Sequence, residues 1–111
     1  MKRGDLVTVA VSGDYGKPRP ALVVQADAFD LHPSVIVLPL TSDLYDAPLF
    51  RVTAGVSKET GLRAASQIMV DKATTVPRGK IGPRIGRVNA MTMHAVDEAL
   101  RGFLDLHRCD Q

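Results

Sequence analysis

The chain has 111 residues and a mass of 12.0 kDa, so we predict a single domain spanning 1–111. Its hydrophobic fraction of 45% and charged fraction of 23% are typical of a globular protein. The chain contains no run of 18 apolar residues, so we predict no membrane-spanning helix. The one cysteine, Cys109, excludes a disulfide framework and a cysteine-rich zinc site. Because no apolar stretch near the start is long enough for a secretory signal, we expect a cytoplasmic protein.

The net charge of +2 is small, but its distribution along the chain is uneven. Segment 58–87 contains seven basic and two acidic residues, a net +5, whereas segment 88–111 has a net charge of −2. A basic stretch inside a folded domain is typical of proteins that bind polyanions. Charge alone leaves open the alternative of an ordinary solvated surface.

Short apolar or alternating runs separated by turn residues predict five or six strands. The first covers 5–11, where Val7, Val9 and Val11 share one face. The others cover 21–25, 35–40, 50–53 and 66–71, with a further short strand within 81–88. Gly, Pro and polar residues predict loops or irregular segments over 12–18, 27–34, 41–48, 55–61 and 74–83.

The last segment changes to helical periodicity. Met93, Val96, Leu100 and Phe103 recur at helical spacing, so we predict one amphipathic helix over 90–106 that packs these residues on the sheet. Either Asn89 or Thr92 is suited to cap its start. Together the elements predict a mainly β fold with a C-terminal helix, built as a small, strongly bent antiparallel sheet or barrel.

The segment Lys17-Pro18-Arg19-Pro20 is the most informative candidate site. The two prolines restrict the backbone on both sides of Arg19 and favour an extended conformation at Arg19 itself. A guanidinium held in this way has a defined direction, and its planar fork suits a phosphate. A rigid strand entry with an incidental charge remains an equal alternative at this point.

Two further positions carry groups that are useful in acid–base or phosphate chemistry. Thr41 and Ser42 place two hydroxyls at the end of the third predicted strand, where they could also simply cap a turn. Asp71 ends the fifth predicted strand among basic residues, as a candidate base or as an ion-pair partner of Lys72 or Arg78.

Several other patterns do not indicate a site. The three histidines, His32, His94 and His107, lack metal-ligand spacing, so we predict no metal site and no cofactor. No phosphate-binding loop or dinucleotide fingerprint is present. The tripeptide at 3–5 matches a cell-adhesion motif, but it opens a predicted strand, and we interpret the match as coincidence.

The order of the motifs carries a resemblance to a known family. R-G-D-L is followed by G-K-P-R-P-A-L-V-V, by a strand ending in P-L-T-S, by S-Q-I-M-V-D-K-A-T-T-V, by G-P-R-I-G-R-V and by the closing helix. Over 2–104 this pattern closely resembles the MazF/PemK family of toxin-antitoxin ribonucleases. The resemblance implies a small SH3-like barrel, a homodimer, an antitoxin partner with an acidic disordered tail, and metal-independent, sequence-specific cleavage of single-stranded RNA.

The resemblance also implies roles for individual residues. It assigns catalysis to Arg19 and Thr41, with Asp71 as a further catalytic group, and RNA binding to three polar residues, Lys17, Ser42 and Gln67. Family members that use this aspartate carry an arginine two residues before it, where this chain has Met69. The departure places more of the phosphate stabilisation on Arg19 and leaves the general acid unassigned.

Two alternatives from other functional classes remain. A gyrase poison of the CcdB type shares the fold, but such proteins end in an aromatic- and basic-tipped tail, and 106–111 contains no aromatic residue. A non-catalytic nucleic-acid-binding barrel would use aromatic stacking platforms, and the chain has no Trp, two Tyr and three Phe. The resemblance implies that the loops at 12–17 and 41–48 determine which RNA sequence is recognised.

Overall fold

The structure, a computed structural model, describes residues 1–10 and 17–106. The described residues form strands β1 (Asp5–Ala10), β2 (Pro18–Val23), β3 (Ser34–Thr41), β4 (Arg51–Ala54), β5 (Ser66–Met69), β6 (Thr74–Pro77) and β7 (Ile81–Arg87), followed by helix α1 (Ala90–Leu104). Short 3-10 turns occupy Asp27–Phe29, Val70–Lys72 and Arg78–Lys80. Within these ranges no helix has the length and apolar character needed to cross a bilayer.

The strands form one curled antiparallel sheet in the order β4-β5-β3-β2-β1-β7, and β6 pairs with the beginning of β3. Strand β3 is central because its eight residues pair with β6, β2 and β5 in turn. Between the described strands β6 and β7 there is no ladder, and a 3-10 turn connects them, so the sheet does not close. The predicted class, a mainly β antiparallel fold with a C-terminal helix, is confirmed, and its barrel is an open one.

The curled sheet buries side chains on both faces. Leu6, Leu22 and Leu38 are neighbours in register across β1, β2 and β3, and all three are fully buried against residues of β4, β5 and α1. Burying one such leucine stabilises the fold by about 1.5–3 kcal/mol. The opposite face packs a second cluster, which consists of Val7, Val9, Ala21, Val23, Val35, Val37 and Val76. Burial on both faces explains why β2 and β3 are nearly continuous in apolar residues.

Long-range pairing explains where the strands differ from their predicted bounds. Segment 74–83, predicted to be irregular, forms β6 because Val76 pairs with Val35, and it also supplies the start of β7. Strand β7 includes Pro83, which lies where the register with β1 shifts and no ladder donor is needed. The strand predicted over 66–71 ends at Met69, and the chain then turns.

Helix α1 begins where the sequence predicts. Oδ1 of Asn89 accepts a 2.8 Å hydrogen bond from the backbone N–H of Thr92, so Asn89 is the N-cap and the alternative, Thr92, is wrong. Val96 is fully buried, while Met93 and Leu100 are half-buried against the leucine-rich core.

The C-terminal end of α1 departs from the prediction. The helix ends at Leu104 instead of 106, because Asp105 adopts a left-handed conformation with φ of 55°. The spacing predicts Phe103 on the core, but the residue is 51% exposed and its ring packs against Phe50, with 6.2 Å between the ring centroids.

A buried carboxylate ties the start of β1 to β7. The Asp5 side chain is 5% exposed and accepts hydrogen bonds from the backbone N–H of Lys2 (2.8 Å), Nε of Arg84 (3.1 Å) and Nη1 of Arg87 (2.8 Å). Burial acts to raise the Asp5 pKa, but the Lys2 hydrogen bond and the two guanidinium groups together hold it below its ordinary value. The aspartate of the adhesion-like tripeptide is therefore a buried structural residue at the start of β1.

We predict that Asp5→Asn lowers the free energy of unfolding at pH 7 by about 1–3 kcal/mol, because two guanidinium groups lose a buried anion. A carboxyl with a lowered pKa in the folded state stabilises fully above its unfolded pKa of about 3.9 and loses that contribution as pH falls. Urea unfolding at pH 7 and pH 3 should therefore show a smaller acid-induced loss in Asp5→Asn than in the unsubstituted chain.

Asp30→Asn is the matched control, because Asp30 is an exposed carboxylate whose ion pair with Lys2 spans 4.0 Å. It should change stability by less than about 1 kcal/mol. Equal destabilisation by the two variants would contradict the role assigned to Asp5.

Candidate functional site

A groove opens where β2 and β3 separate. Strand β2 pairs with β1 from Pro18 onward but with β3 only from Ala21, which faces Pro39. One residue later, at Leu40, β3 takes β5 as its partner. Proline has no N–H to donate, so Pro20 and Pro39 favour the end of the β2–β3 ladder at this point.

The resulting groove has a volume of about 530 Å³. Its walls come from β1, β2, the end of β3 and the segment between β4 and β5. The lining residues are Thr8, Pro18, Arg19, Pro20, Leu40, Thr41, Ser42, Gly61, Leu62, Arg63, Ala64, Ser66 and Ile85. Three of the six predicted site residues, Arg19, Thr41 and Ser42, therefore lie around one cavity, although Arg19 is distant in sequence from the other two.

Arg19 is exposed on the segment of β2 that only β1 pairs with, between the two prolines. Strand β2 begins at Pro18 and not at 21 as predicted, so the restricted backbone around Arg19 is itself part of the sheet. Ala10 and Thr8 of β1 face the two prolines in register. The side chain that reaches the groove thus extends from a backbone restricted by both proline geometry and strand pairing.

Thr41 is the last residue of β3 and is half-buried. Its Oγ1 accepts a 3.1 Å hydrogen bond from the backbone N–H of Asp43, which shapes the turn after the strand. Because the oxygen is the acceptor in this bond, the hydroxyl proton can still be donated to a ligand. Ser42 follows as an exposed residue at the groove.

Arg63 is a cation in the groove that the sequence prediction did not single out. It lies in the segment between β4 and β5, which packs tightly against β7. At Gly61, φ is +67° and an added Cβ would lie 2.0 Å from the carbonyl oxygen of Ile85. Likewise, a Cβ at Gly86 would lie 2.2 Å from the carbonyl oxygen of Thr60. These close approaches fix the wall from which Arg63 extends, and only the two glycines could have indicated this in the sequence.

The structure places Gln67 beside the groove, in a specific network. Gln67 faces Thr41 in the β3–β5 register. Its Oε1 accepts bonds from the Tyr45 backbone N–H and from Nη1 of Arg51, both at 3.0 Å, and its Nε2 donates to the Tyr45 carbonyl at 2.7 Å. The predicted RNA-binding amide therefore holds the 41–48 segment in the described structure.

Asp71 is not among the described residues that line the groove. It lies in the 3-10 turn after β5, where its side chain is 21% exposed and Oδ2 is 3.8 Å from Nζ of Lys72. Oδ1 is buried and has no hydrogen-bond partner. The predicted ion pair with Lys72 is thus present, whereas the other candidate, Arg78, donates to the carbonyl of His32.

Lys17 is exposed at the start of β2, next to residues 11–16, which lie outside the described residues. Most of the predicted recognition loop at 12–17 falls there, and so do His107 and Cys109 at the other end. His32 and His94 are exposed. Among the described residues, no group of three His, Cys, Asp or Glu side chains is arranged to hold a metal ion.

Comparisons with known proteins agree with the motif order. The family model described as "PemK-like, MazF-like toxin of type II toxin-antitoxin system" matches residues 2–104. A Mycolicibacterium smegmatis protein named "Probable endoribonuclease MazF" is 46% identical over 107 residues, covering 96% of this chain and 98% of that protein. "Endoribonuclease EndoA" of Bacillus subtilis is 29% identical, with 96% of each chain covered.

Solved structures share the fold. "Mycobacterium tuberculosis toxin MazF-mt6" superposes with a TM-score of 0.81 at 24% identity, covering 94% of this chain and 99% of that chain. "Endoribonuclease in complex with its cognate antitoxin from Mycobacterial species" has a TM-score of 0.82 at 24% identity, covering 97% and 98%. The relatives favour the endoribonuclease interpretation over a gyrase poison.

Proposed function

We propose that this chain, which belongs to the PemK-like, MazF-like toxin family of type II toxin-antitoxin systems, is an endoribonuclease that cleaves single-stranded RNA. The observation that carries the proposal is the convergence of Arg19 and Thr41 on one groove, at the point where β2 and β3 separate. The endoribonuclease names of relatives that cover nearly the whole chain support the same activity. Cleavage by such a toxin would remove translatable RNA and inhibit growth.

The reaction uses the 2′-hydroxyl of RNA as its nucleophile. Its oxygen attacks the adjacent phosphorus and loses its proton to a base, and the bond to the leaving 5′-oxygen breaks as that oxygen gains a proton. Negative charge develops on the phosphoryl oxygens during this step. Arg19 and Arg63, which line the groove, can stabilise that charge. One well-placed donor to such an oxyanion is worth about 3–4 kcal/mol.

Each groove residue has a role that matches its chemistry. Arg19 stabilises the phosphorane, and a guanidinium group, which carries N–H donors and no acceptor atom, is unsuitable as the base. Thr41 donates its hydroxyl proton in a hydrogen bond to a phosphoryl oxygen. Asp71 is the candidate base from the family resemblance, and because its carboxylate lies outside the described groove lining, its role needs a direct test. Lys17 and Ser42 are candidate contacts to the RNA backbone.

A cleavage assay on fluorogenic single-stranded RNA tests the proposed function. We expect cleavage in the presence of EDTA, with a 2′,3′-cyclic phosphate and a 5′-hydroxyl at the new ends, because the 2′-oxygen attacks. A substrate with a 2′-deoxy sugar at the scissile position should resist cleavage. Cleavage of that substrate would mean that water attacks, and absence of RNA cleavage would overturn the proposal.

We predict that Arg19→Ala lowers kcat by about 100- to 1000-fold, the loss typical of removing one oxyanion donor. Arg19→Lys should also lose most of the activity, because a point charge does not replace the planar fork. Arg101→Lys is the matched control, since Arg101 lies on α1 and binds Glu98 away from the groove. Near-normal cleavage by Arg19→Lys would contradict a role for the fork.

Variants at Thr41 and Asp71, the two other proposed catalytic residues, distinguish their roles from the role of Arg19. Thr41→Ala should be slower than Thr41→Ser, because serine keeps the hydroxyl. Asp71→Asn should lower kcat near neutral pH if the carboxylate accepts the 2′-proton. Normal cleavage by Asp71→Asn would leave Asp71 only as the ion-pair partner of Lys72.

The same family membership supports a cytoplasmic homodimer that an antitoxin neutralises. One solved relative is an "Endoribonuclease in complex with its cognate antitoxin from Mycobacterial species". Exposed cations between 58 and 87 would attract an acidic, disordered antitoxin tail, although Asp5 already binds Arg84 and Arg87.

Light scattering should give a mass near twice 12.0 kDa, because we expect a two-fold homodimer. A fully active monomer would contradict the dimer.

A further inference from the structure

The segment that follows Thr41, a residue of the groove lining, carries an exposed aromatic residue, Tyr45. The Tyr45 side chain belongs to a residue that is 57% exposed, although large aromatic groups usually gain by burial. Cζ of Arg51 lies 4.3 Å from the centroid of this ring, a cation–π contact that occupies one side of it. One side of the ring is therefore in contact with Arg51, and more than half of the residue's surface stays exposed to a ligand.

Hydrogen bonds on both sides hold Tyr45 in this position. Gln67 bonds to both its backbone N–H and its carbonyl oxygen, so the segment is fixed to β5 at this residue. Arg51 donates through Nη1 to Gln67 and to the carbonyl oxygen of Asp43, both at 3.0 Å. A ring fixed before binding loses little conformational entropy when a ligand stacks on it.

The charge of Arg51 is not neutralised by any carboxylate among the described residues, and its Nε is buried without a hydrogen-bond partner. Its partners are carbonyl and amide oxygens and the Tyr45 ring. Arg51 also faces Met69 in the β4–β5 register. A cation therefore lies across the ladder from the position where the family resemblance implies an arginine.

The same network connects this ring to the groove. Gln67, which binds Tyr45, faces Thr41 across the β3–β5 ladder. Tyr45 follows Thr41 by four residues, so their Cα atoms are at most about 14 Å apart even for a fully extended chain. A strand of RNA whose phosphate lies at Thr41 can therefore bring a neighbouring base to the Tyr45 ring.

We propose that Tyr45, supported by Arg51, is a stacking platform for a base that flanks the scissile phosphate, with Gln67 and Arg51 as positioning residues. The inference rests on the proposed RNA-cleaving function and adds a substrate contact to it. RNA is favoured over a protein partner because the site combines an aromatic face, an unneutralised guanidinium and a direct connection to the groove, the combination that single-stranded nucleic acids bind.

Abasic substrates provide the test. After the cleavage site has been identified from the product ends, RNA substrates with a single abasic nucleotide at each flanking position are compared by kcat/KM. On intact RNA, Tyr45→Ala should lower kcat/KM by about 5- to 150-fold, the loss expected for one stacked base. Tyr45→Phe should keep the value within about twofold, because the ring is retained.

The abasic series shows whether the loss comes from stacking. At one flanking position, removal of the base should lower kcat/KM for the unsubstituted enzyme, and there Tyr45→Ala should cause no further loss beyond about twofold. Arg51→Met, which keeps an apolar stem, should lower kcat/KM on intact RNA by about two- to fivefold, as expected for an exposed cation–π pair. Phe29→Ala is the matched control, because Phe29 is 58% exposed on the 3-10 turn between β2 and β3, away from the groove lining.

Each outcome separates this inference from the proposed function. If the unsubstituted protein cleaves RNA and Tyr45→Ala cleaves it equally well, the platform is wrong and the endoribonuclease stands. An equal loss by Tyr45→Ala on every abasic substrate would show that the residue only maintains the loop, and would also overturn the platform. If Tyr45→Ala reduced antitoxin binding but left kcat/KM unchanged, the ring would belong to the protein interface instead.

Discussion

The missing N–H groups of two prolines are the constraint on which the site depends. Pro20 and Pro39 lie at the same end of the β2–β3 ladder, and β3 changes its partner from β2 to β5 immediately afterwards. Had the ladder continued, Arg19 and Thr41 would lie on adjacent paired strands with little space between them. Because it ends, the two side chains line a groove, while their backbones stay fixed by β1 and β5.

Apolar burial on both faces of the sheet stabilises the fold and offsets the free energy lost where the β2–β3 pairing ends. Leu6, Leu22 and Leu38 form a fully buried row on one face, and a valine-rich cluster fills the other. Of the described buried residues in the two clusters, only Leu40 and Leu62 line the groove, so the groove removes few apolar contacts. Strands β6 and β7 do not pair with each other in the described sheet, and a short 3-10 turn connects them.

Features set by local sequence were predictable, whereas those set by distant contacts were not. The alternation in β1, the helical spacing in α1 and the cap at Asn89 are local, and all three are observed. Strand β6 was missed because its Pro and Gly neighbours resemble a loop, and only its pairing with β3 makes it a strand. Phe103 was expected to be buried from its spacing, but it lies in the last turn, where the helix extends past much of the core.

The same distinction applies to the site. Arg19 and Thr41 could be identified because proline spacing and the family motif mark them, but neither signal indicates Arg63 or Arg51. Arg63 reaches the groove only because Gly61 and Gly86 let two segments approach closely. Arg51 stands across the ladder from Met69, a relation that exists only in the folded sheet.

The seven cations between 58 and 87 illustrate why net charge is an incomplete guide to binding. Arg84 and Arg87 bind the buried carboxylate of Asp5 and therefore stabilise the fold, and Arg78 donates to a backbone carbonyl. Arg63, by contrast, lines the groove. Arg51, outside that segment, has no carboxylate partner among the described residues and lies under an exposed ring. The capacity to bind a polyanion therefore depends on where the fold places each cation, and among the described residues Arg63 lines the same groove as Arg19 and Thr41.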